Sequence, residues 1–422
     1  MTVATRLHPE HLPRRMAIVV FLAFALAYFF SALVRAITAT LSPTLTREFA
    51  LSAQDLGLLA GGYFLGFSLT QLPLGRWLDK QGPKKVILAF LTFAVLGCLA
   101  FSWADSFQGL LAARVLCGMG VSACLMAPLT GYRRWFDAST QLRTNSWMLM
   151  TGSLGMLAAT LPVQWLMPYT GWRGLFWMLA GLIALSMVGI ALMVPRWRQE
   201  TPALAQGQPS PSKGYGFIWR NPYFRQMLPI GFVNYGGMVA VQTLWAGPWM
   251  VKVAGYTPQE AAAGLFGINL SMLCTFWLWG VVNPHLARRG LRPERLIAWG
   301  LPSSFVVLSA IVWLGAGAGW ELWALFCVTS TFVSLSQPAV AMAFPQALAG
   351  RALSAYNLVI FVGVFVVQWG IGLAVDAFAG AGLATVPAFQ AAMAVYLVCN
   401  AGAYAWFLLR GRRHNVLPTP TP

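Results

Sequence analysis

Gly75-Arg76-Trp77-Leu78-Asp79-Lys80-Gln81-Gly82-Pro83-Lys84-Lys85 is a short charged stretch set between two apolar runs. Gly82 permits a tight turn that a side chain would resist. Gly75 lets helix ends approach, and Asp79 is placed to meet a helix N-terminus or a basic neighbour. With Lys84 and Lys85 these residues read as a charge-and-dipole latch that forms in one state and breaks in another. At an offset near 205 the chain offers a counterpart, Gly280-Val281-Val282-Asn283-Pro284-His285-Leu286-Ala287-Arg288-Arg289-Gly290-Leu291-Arg292, again between apolar runs. A second pair repeats at an offset of 208: Arg143 with Gly155 twelve residues on, and Arg351 with Gly363. Two six-helix halves of this kind mark proteins that bind a solute at the repeat interface and rock around it.

Working outward, the apolar runs fall near 16–44, 56–75, 86–104, 106–132, 144–170, 174–195, 226–251, 259–284, 295–316, 320–348, 352–375 and 386–409. Each suits the ~20 residues that cross a bilayer. The runs at 106–132 and 320–348 exceed that length, which predicts tilt or a kink at Pro128 and Pro338. The fold class expected is all-α and integral to the membrane, with twelve transmembrane helices in two pseudo-symmetric six-helix bundles around a central cavity. The expected divisions are a tail at 1–15, a first bundle at 16–195, a linker at 196–225, a second bundle at 226–410 and a disordered tail at 411–422. The linker is rich in Pro, Gln, Ser and Gly around 206–213, and its aromatic end (Tyr215, Phe217, Ile218, Trp219) reads as a surface-lying piece. The first run is too long for a signal peptide core and reads as an uncleaved span.

Of 422 residues, 58% are hydrophobic and 9% charged, against roughly 25% charged in soluble domains. The net charge of +17 does not point to nucleic acid, because of where the charges lie. Of the 28 Lys and Arg, 23 fall on one side of the predicted topology, 3 on the other (Arg47, Arg173, Lys252) and 2 inside the spans. That is the positive-inside bias, which places the basic loops and both termini in the cytoplasm. The six cysteines lie within apolar runs and no histidine accompanies them, so neither a disulfide framework nor a metal site is expected. No H-E-x-x-H or G-x-S-x-G occurs, so the chain does not read as an enzyme and calls for no cofactor. The partners expected are the lipid bilayer and a small solute, with the protein acting as a monomer.

The stretch Gly75–Lys85 resembles the loop 2–3 signature of the major facilitator superfamily, G-x-x-x-D-x-x-G-x-[RK]-[RK]. Arg114-x-x-x-Gly118-x-Gly120 is similar to that family's fourth-helix pattern, and Gly171-Trp172-Arg173-x-x-Phe176 to its loop 5–6 pattern. The resemblance spans essentially the whole chain. It implies a secondary active transporter of the bacterial inner membrane working by alternating access, with helices one and four lining the cavity. Exporters of the family often carry a G-P-x-x-G-G-like stretch in helix five. The region Gly152–Pro162 lacks it, which counts against a proton-driven exporter of drugs or other amphipathic compounds, the alternative reading.

Two charged residues sit within spans, Arg35 and Arg114. Each is eight residues from an expected outer end, Pro43 and Ser106, so both are expected at similar depth, roughly 12 Å at 1.5 Å per residue. A lone Arg at depth costs at least ~2.5 kcal/mol, and all eleven Asp and Glu lie in loops, tails or span ends. A cationic cavity without a fixed anion calls for an anionic guest. Tyr28, Ser31, Arg35 and Thr38 form one polar stripe on the first helix. In position Arg35 resembles the anion-binding Arg of organic-anion and organophosphate transporters of the family. Its repeat mate falls near Gln242, not a second Arg, which favours a carboxylate over a phosphate ester. Gln242, Trp245, Asn269, Gln337 and Asn357 complete the expected solute site; each would serve equally well in an interhelical hydrogen bond. The expected activity is ion- or proton-coupled import of a small organic anion, with Glu48, Asp55 or the solute's own carboxyl carrying the proton.

Overall fold

The computed structural model describes residues 12–196 and 215–414, which are helical almost throughout, with no strand among them. The first span, α1, is Arg14–Phe49. Ala53–Trp103 is one helical run broken at Gly82 (φ 77°, ψ 165°), a backbone open to glycine, which separates α2 (53–81) from α3 (83–103). Next comes α4, Phe107–Trp135. Gly171 (φ 61°) then divides α5 (138–170) from α6 (172–193). After a short helix Tyr215–Arg220 come α7 (222–252), α8 (Pro258–Arg288), α9 (Pro293–Leu314), α10 (Trp320–Met342), α11 (Gln346–Gly380) and α12 (Thr385–His414). Among the described residues these make twelve antiparallel spans, so residues 14 and 414 lie on one face, the basic face. Nine helices meet the length and apolarity of a bilayer crossing by themselves. The others, α2, α5 and α7, each contribute polar side chains to the cavity described below.

Buried side chains gather in two cores. One is drawn almost wholly from α1–α6 and includes Phe24, Tyr63, Phe101 and Phe176; the other, mainly from the second half with Ala39, Ala53, Leu56 and Ala60 of α1 and α2, includes Trp245, Trp249, Trp323 and Tyr356. The outer shell is apolar too: Leu192, Trp299, Val306, Trp313 and Val398 are exposed, as suits a lipid solvent. With lipid as apolar as leucine, helices associate by close packing of small residues. A Cβ on Gly118 would stand 1.8 Å from the Tyr63 carbonyl oxygen, which presses α4 against α2 and explains that glycine in the fourth-helix pattern.

Several helix details differ from the sequence expectation. Helix α1 carries Pro43 inside it and ends at Phe49, so Arg35 stands fourteen residues from that end, near the helix middle. The break expected at Pro128 falls at Ser122, whose hydroxyl donates to the Met119 carbonyl (2.8 Å) and accepts from Thr70 (2.8 Å). Pro338 follows a 3-10 turn, Thr331–Leu335, that relieves the clash its ring would make with the preceding turn. Helix α12 runs on to His414, and Ile218 of the supposed surface piece is buried in the second core. Of the expected tails and linker, residues 1–11, 197–214 and 415–422 lie outside the described residues.

The face opposite the basic one is closed. There the N-terminus of α2 meets α11: the Asp376 carboxylate accepts hydrogen bonds from the backbone N–H of Ala53 (3.1 Å) and Gln54 (2.7 Å). The loop 5–6 motif works on the same face. Glu48 accepts from Trp172 Nε1 (2.6 Å) and pairs with Arg173, which also reaches Asp105 at 3.1 Å. These bonds tie the end of α1 to the α3–α4 and α5–α6 turns.

Candidate substrate site

Between the two bundles lies a cavity of about 840 Å³. Its lining runs from the level of Arg35 toward the basic face: Gln71 near the end of α2, Ser146 early in α5, Val281 late in α8, Gln337 late in α10 and Asn357 early in α11. The protein is therefore open toward the basic face and sealed at the other. The walls are mainly apolar and aromatic, with Phe67, Phe361, Tyr28 and Tyr235 around the deep end and Met126, Met150, Met156 and Met272 along the sides.

Arg35 lines this cavity and is partly exposed to it. The Tyr28 and Tyr63 hydroxyls face its guanidinium, and Nε has no hydrogen-bond partner. Among the described residues no carboxylate lines the cavity, and Arg35 is its one Lys, Arg or His. Tyr63 stands behind the wall, fully buried, and donates to the Ser31 carbonyl (3.2 Å), which fixes its ring beside the arginine. Ser31 lines the cavity with its hydroxyl unpartnered.

The expectation of two guanidiniums on one guest needs correcting. Arg114 is wholly buried and outside the cavity lining. Its Nη1 donates to the Val34 carbonyl (2.9 Å) and its guanidinium lies over the Tyr63 ring at 5.2 Å. The equal-depth expectation fails with it, because α1 continues past Pro43. Thr38 and Trp245 also leave the site. Both are buried toward the closed face, and Trp245 Nε1 donates to the Gln368 carbonyl (3.0 Å).

The remaining predicted residues converge. Tyr28, Ser31, Arg35, Gln242, Asn269, Gln337 and Asn357 all line the one cavity. From the second bundle come two neutral hydrogen-bond chains. Gln242 Nε2 donates to Asn269 Oδ1 (3.1 Å), and Asn269 Nδ2 to the Leu265 carbonyl (2.9 Å). Tyr235 donates to Gln337 Oε1 (3.3 Å), and Gln337 Nε2 to Asn357 Oδ1 (2.6 Å), so the Asn357 amide N–H groups are not used within this chain. Tyr235 and Gln242 each belong to a π-helical segment of α7, Ile230–Tyr235 and Val241–Trp245. Such extra-residue turns recur at functional sites because they re-aim side chains. Sequence reasoning passed over Phe67, Gln71 and Phe361; Gln71, a lone amide four residues after Phe67 in an apolar run, was the available signal.

The expected latch residues lie around the α2–α3 break. Gly82 makes the α2–α3 break, Lys84 Nζ donates to the Val194 carbonyl at the end of α6 (2.7 Å), and Lys85 is exposed. No atom lies within 4 Å of a Cβ on Gly75, so that residue serves no close approach here. The Asp79 side chain lies outside the described residues.

Residues 24–368 match the Major Facilitator Superfamily. The chain belongs to that superfamily. As a member it is a membrane transporter and not an enzyme. Over 330 residues it is 24% identical to the cis,cis-muconate transport protein of Acinetobacter baylyi, covering 74% of this chain and 76% of that one. Over 280 residues it is 24% identical to a 4-hydroxybenzoate transporter of Pseudomonas aeruginosa, covering 58% and 62%. In three dimensions it resembles a bacterial homologue of the human lysosomal transporter Spinster in an inward-facing, unoccupied conformation, with a TM-score of 0.79, 16% identity and coverage of 97% and 100%. That likeness carries the superfamily fold.

Proposed function

We propose that this protein is a secondary active transporter of a small organic anion, a carboxylate, which it imports by alternating access together with a proton or another ion. The observation that carries this is the guanidinium of Arg35, held in a cavity lined, among the described residues, by no acidic side chain. An uncompensated cation in a low-dielectric site recruits the opposite charge from whatever can enter. The names of the relatives, transporters of muconate and 4-hydroxybenzoate, point to the same solute class. In this reading the basic face is cytoplasmic, by the positive-inside bias, the membrane is the bacterial inner membrane, and the monomer is the working unit. In this state Glu48 is engaged with Trp172 and Arg173, and Asp55 in the capping box with Ser52 at the start of α2.

The test is uptake of radiolabelled aromatic and aliphatic carboxylates into proteoliposomes. Arg35→Gln should lower uptake of the transported acid at least about 100-fold, since losing one partner of a buried charge pair costs roughly 3–5 kcal/mol. Undiminished uptake by that variant refutes the anion reading. The apolar lining and its methionines support the second reading, export of amphipathic compounds. In that case deletion raises drug sensitivity and Arg35→Gln leaves transport intact.

A further inference from the structure

The charge count of the cavity narrows the solute further, and this step rests on the anion reading above. A transporter of dianions needs two separated cations, or a cation and a proton donor. Here the lining, among the described residues, holds one cation, Arg35, and no acid or histidine. The second intramembrane cation is spent elsewhere, with Arg114 bonded to the main chain of α1 at Val34 and packed on Tyr63. The second bundle brings only neutral groups to the cavity. One is the Tyr235–Gln337–Asn357 chain, whose internal bonds leave the Asn357 N–H groups as donors; the other is the Gln242–Asn269 pair. Between the two poles the wall is apolar, with Phe67 and Phe361 packed on each other at 4.4 Å between ring centroids.

We infer that the site selects monoanions: a single carboxylate at Arg35, a flat apolar body laid against the Phe67–Phe361 pair, and an uncharged hydrogen-bonding group at the Gln337–Asn357 amides. A second carboxylate at the amide end would accept hydrogen bonds there but find no counter-charge. Neutral donors do not replace the hydration of a full charge in a site this apolar. The resulting discrimination is about 30- to 100-fold against the dianion. The same geometry gives a pH rule. A dicarboxylate becomes acceptable only when its second carboxyl is protonated, so its binding improves as pH falls toward the usual carboxyl range near 4. A monoanion with an amide or phenol at the far end gains nothing from that change.

The experiment compares two molecules of nearly one shape, terephthalate and 4-carbamoylbenzoate, titrated calorimetrically against the full chain in lipid nanodiscs at pH 7.5 and pH 5. Expected is 4-carbamoylbenzoate binding 30- to 100-fold tighter at pH 7.5, with the gap narrowing at pH 5. Asn357→Lys should narrow it at pH 7.5 by supplying the missing cation. Equal or tighter binding of terephthalate to the wild-type chain at pH 7.5 overturns the inference and leaves the anion reading standing, provided Arg35→Gln still abolishes binding. A gap that does not change with pH overturns it as well. Arg35-dependent binding of hexanoate with neither aromatic probe bound also removes the inference alone. If no carboxylate binds the wild-type chain, the proposed function falls, and the inference with it.

Discussion

Replacing Gly57 by alanine puts a methyl group 2.4 Å from the carbonyl oxygen of Gln368 and 3.2 Å from the Cα of Trp369. Both are main-chain atoms of α11, so no side chain can swing aside. One turn away the contact is reciprocated, since a Cβ on Gly372 would stand 2.3 Å from the Ala53 carbonyl oxygen. Ordinary contact needs about an ångström more, so α2 and α11 must separate where they now seal the cavity. Overpacking of this kind costs about 1–3 kcal/mol. The clash exists only while the sealed face is shut, so the cost falls on one state of the transport cycle. It shifts the equilibrium toward the state open at that face by roughly 5- to 140-fold. Double electron–electron resonance between spin labels at Trp103 and Leu383, exposed positions on the two bundles near the sealed face, reads the change directly. A longer-distance population should appear in Gly57→Ala and be absent in Gly181→Ala, where a Cβ meets nothing within 4 Å. The two variants must elute as monodisperse protein with wild-type helix content. Superimposable distance distributions for Gly57→Ala and the wild-type chain would refute the assignment of this contact as the seal.

Asp376→Asn keeps one acceptor for the N–H groups of Ala53 and Gln54 but removes the charge that the α2 N-terminus stabilises. That interaction is worth about 0.3–2 kcal/mol, so the same label pair should report a shift in the same direction of roughly 2- to 30-fold; no shift would mean the carboxylate adds nothing beyond a neutral cap. Arg114→Met removes a buried cation that makes one hydrogen bond and leaves Nε and Nη2 without partners. Because an apolar residue of similar size often matches or exceeds a poorly satisfied buried charge, its unfolding temperature should equal or exceed wild type, and solute affinity should fall less than tenfold. A loss of affinity as large as that of Arg35→Gln would return Arg114 to the binding site.

The architecture was legible because membrane insertion is governed by quantities that a sequence displays: run length, apolarity and the side on which lysine and arginine collect. The site was legible in part, and its two arginines show where the boundary lies. Each is a lone guanidinium in an apolar run, and the cost of burying charge flags both alike. The helical period separates them. Arg35 has Tyr28 and Ser31 on its face, whereas the same positions around Arg114 hold Phe107, Leu110, Cys117 and Gly118. A polar stripe marks water, and a bare arginine among small and apolar neighbours marks a main-chain partner on the next helix. The π segments of α7 had no such signature, because an inserted residue is accommodated by packing against α1 and α11 and not by local propensity. Thr38 and Trp245 expose a different limit. Each lies three residues beyond a cavity residue, Arg35 and Gln242, in the direction of the sealed face. A stripe on a helix records every level that solvent or solute reaches during the cycle, while one conformation opens only the levels on its own side of the seal. The two residues that left the site therefore lie where the cavity would continue if α2 and α11 parted, which is the movement that the Gly57 substitution is designed to force.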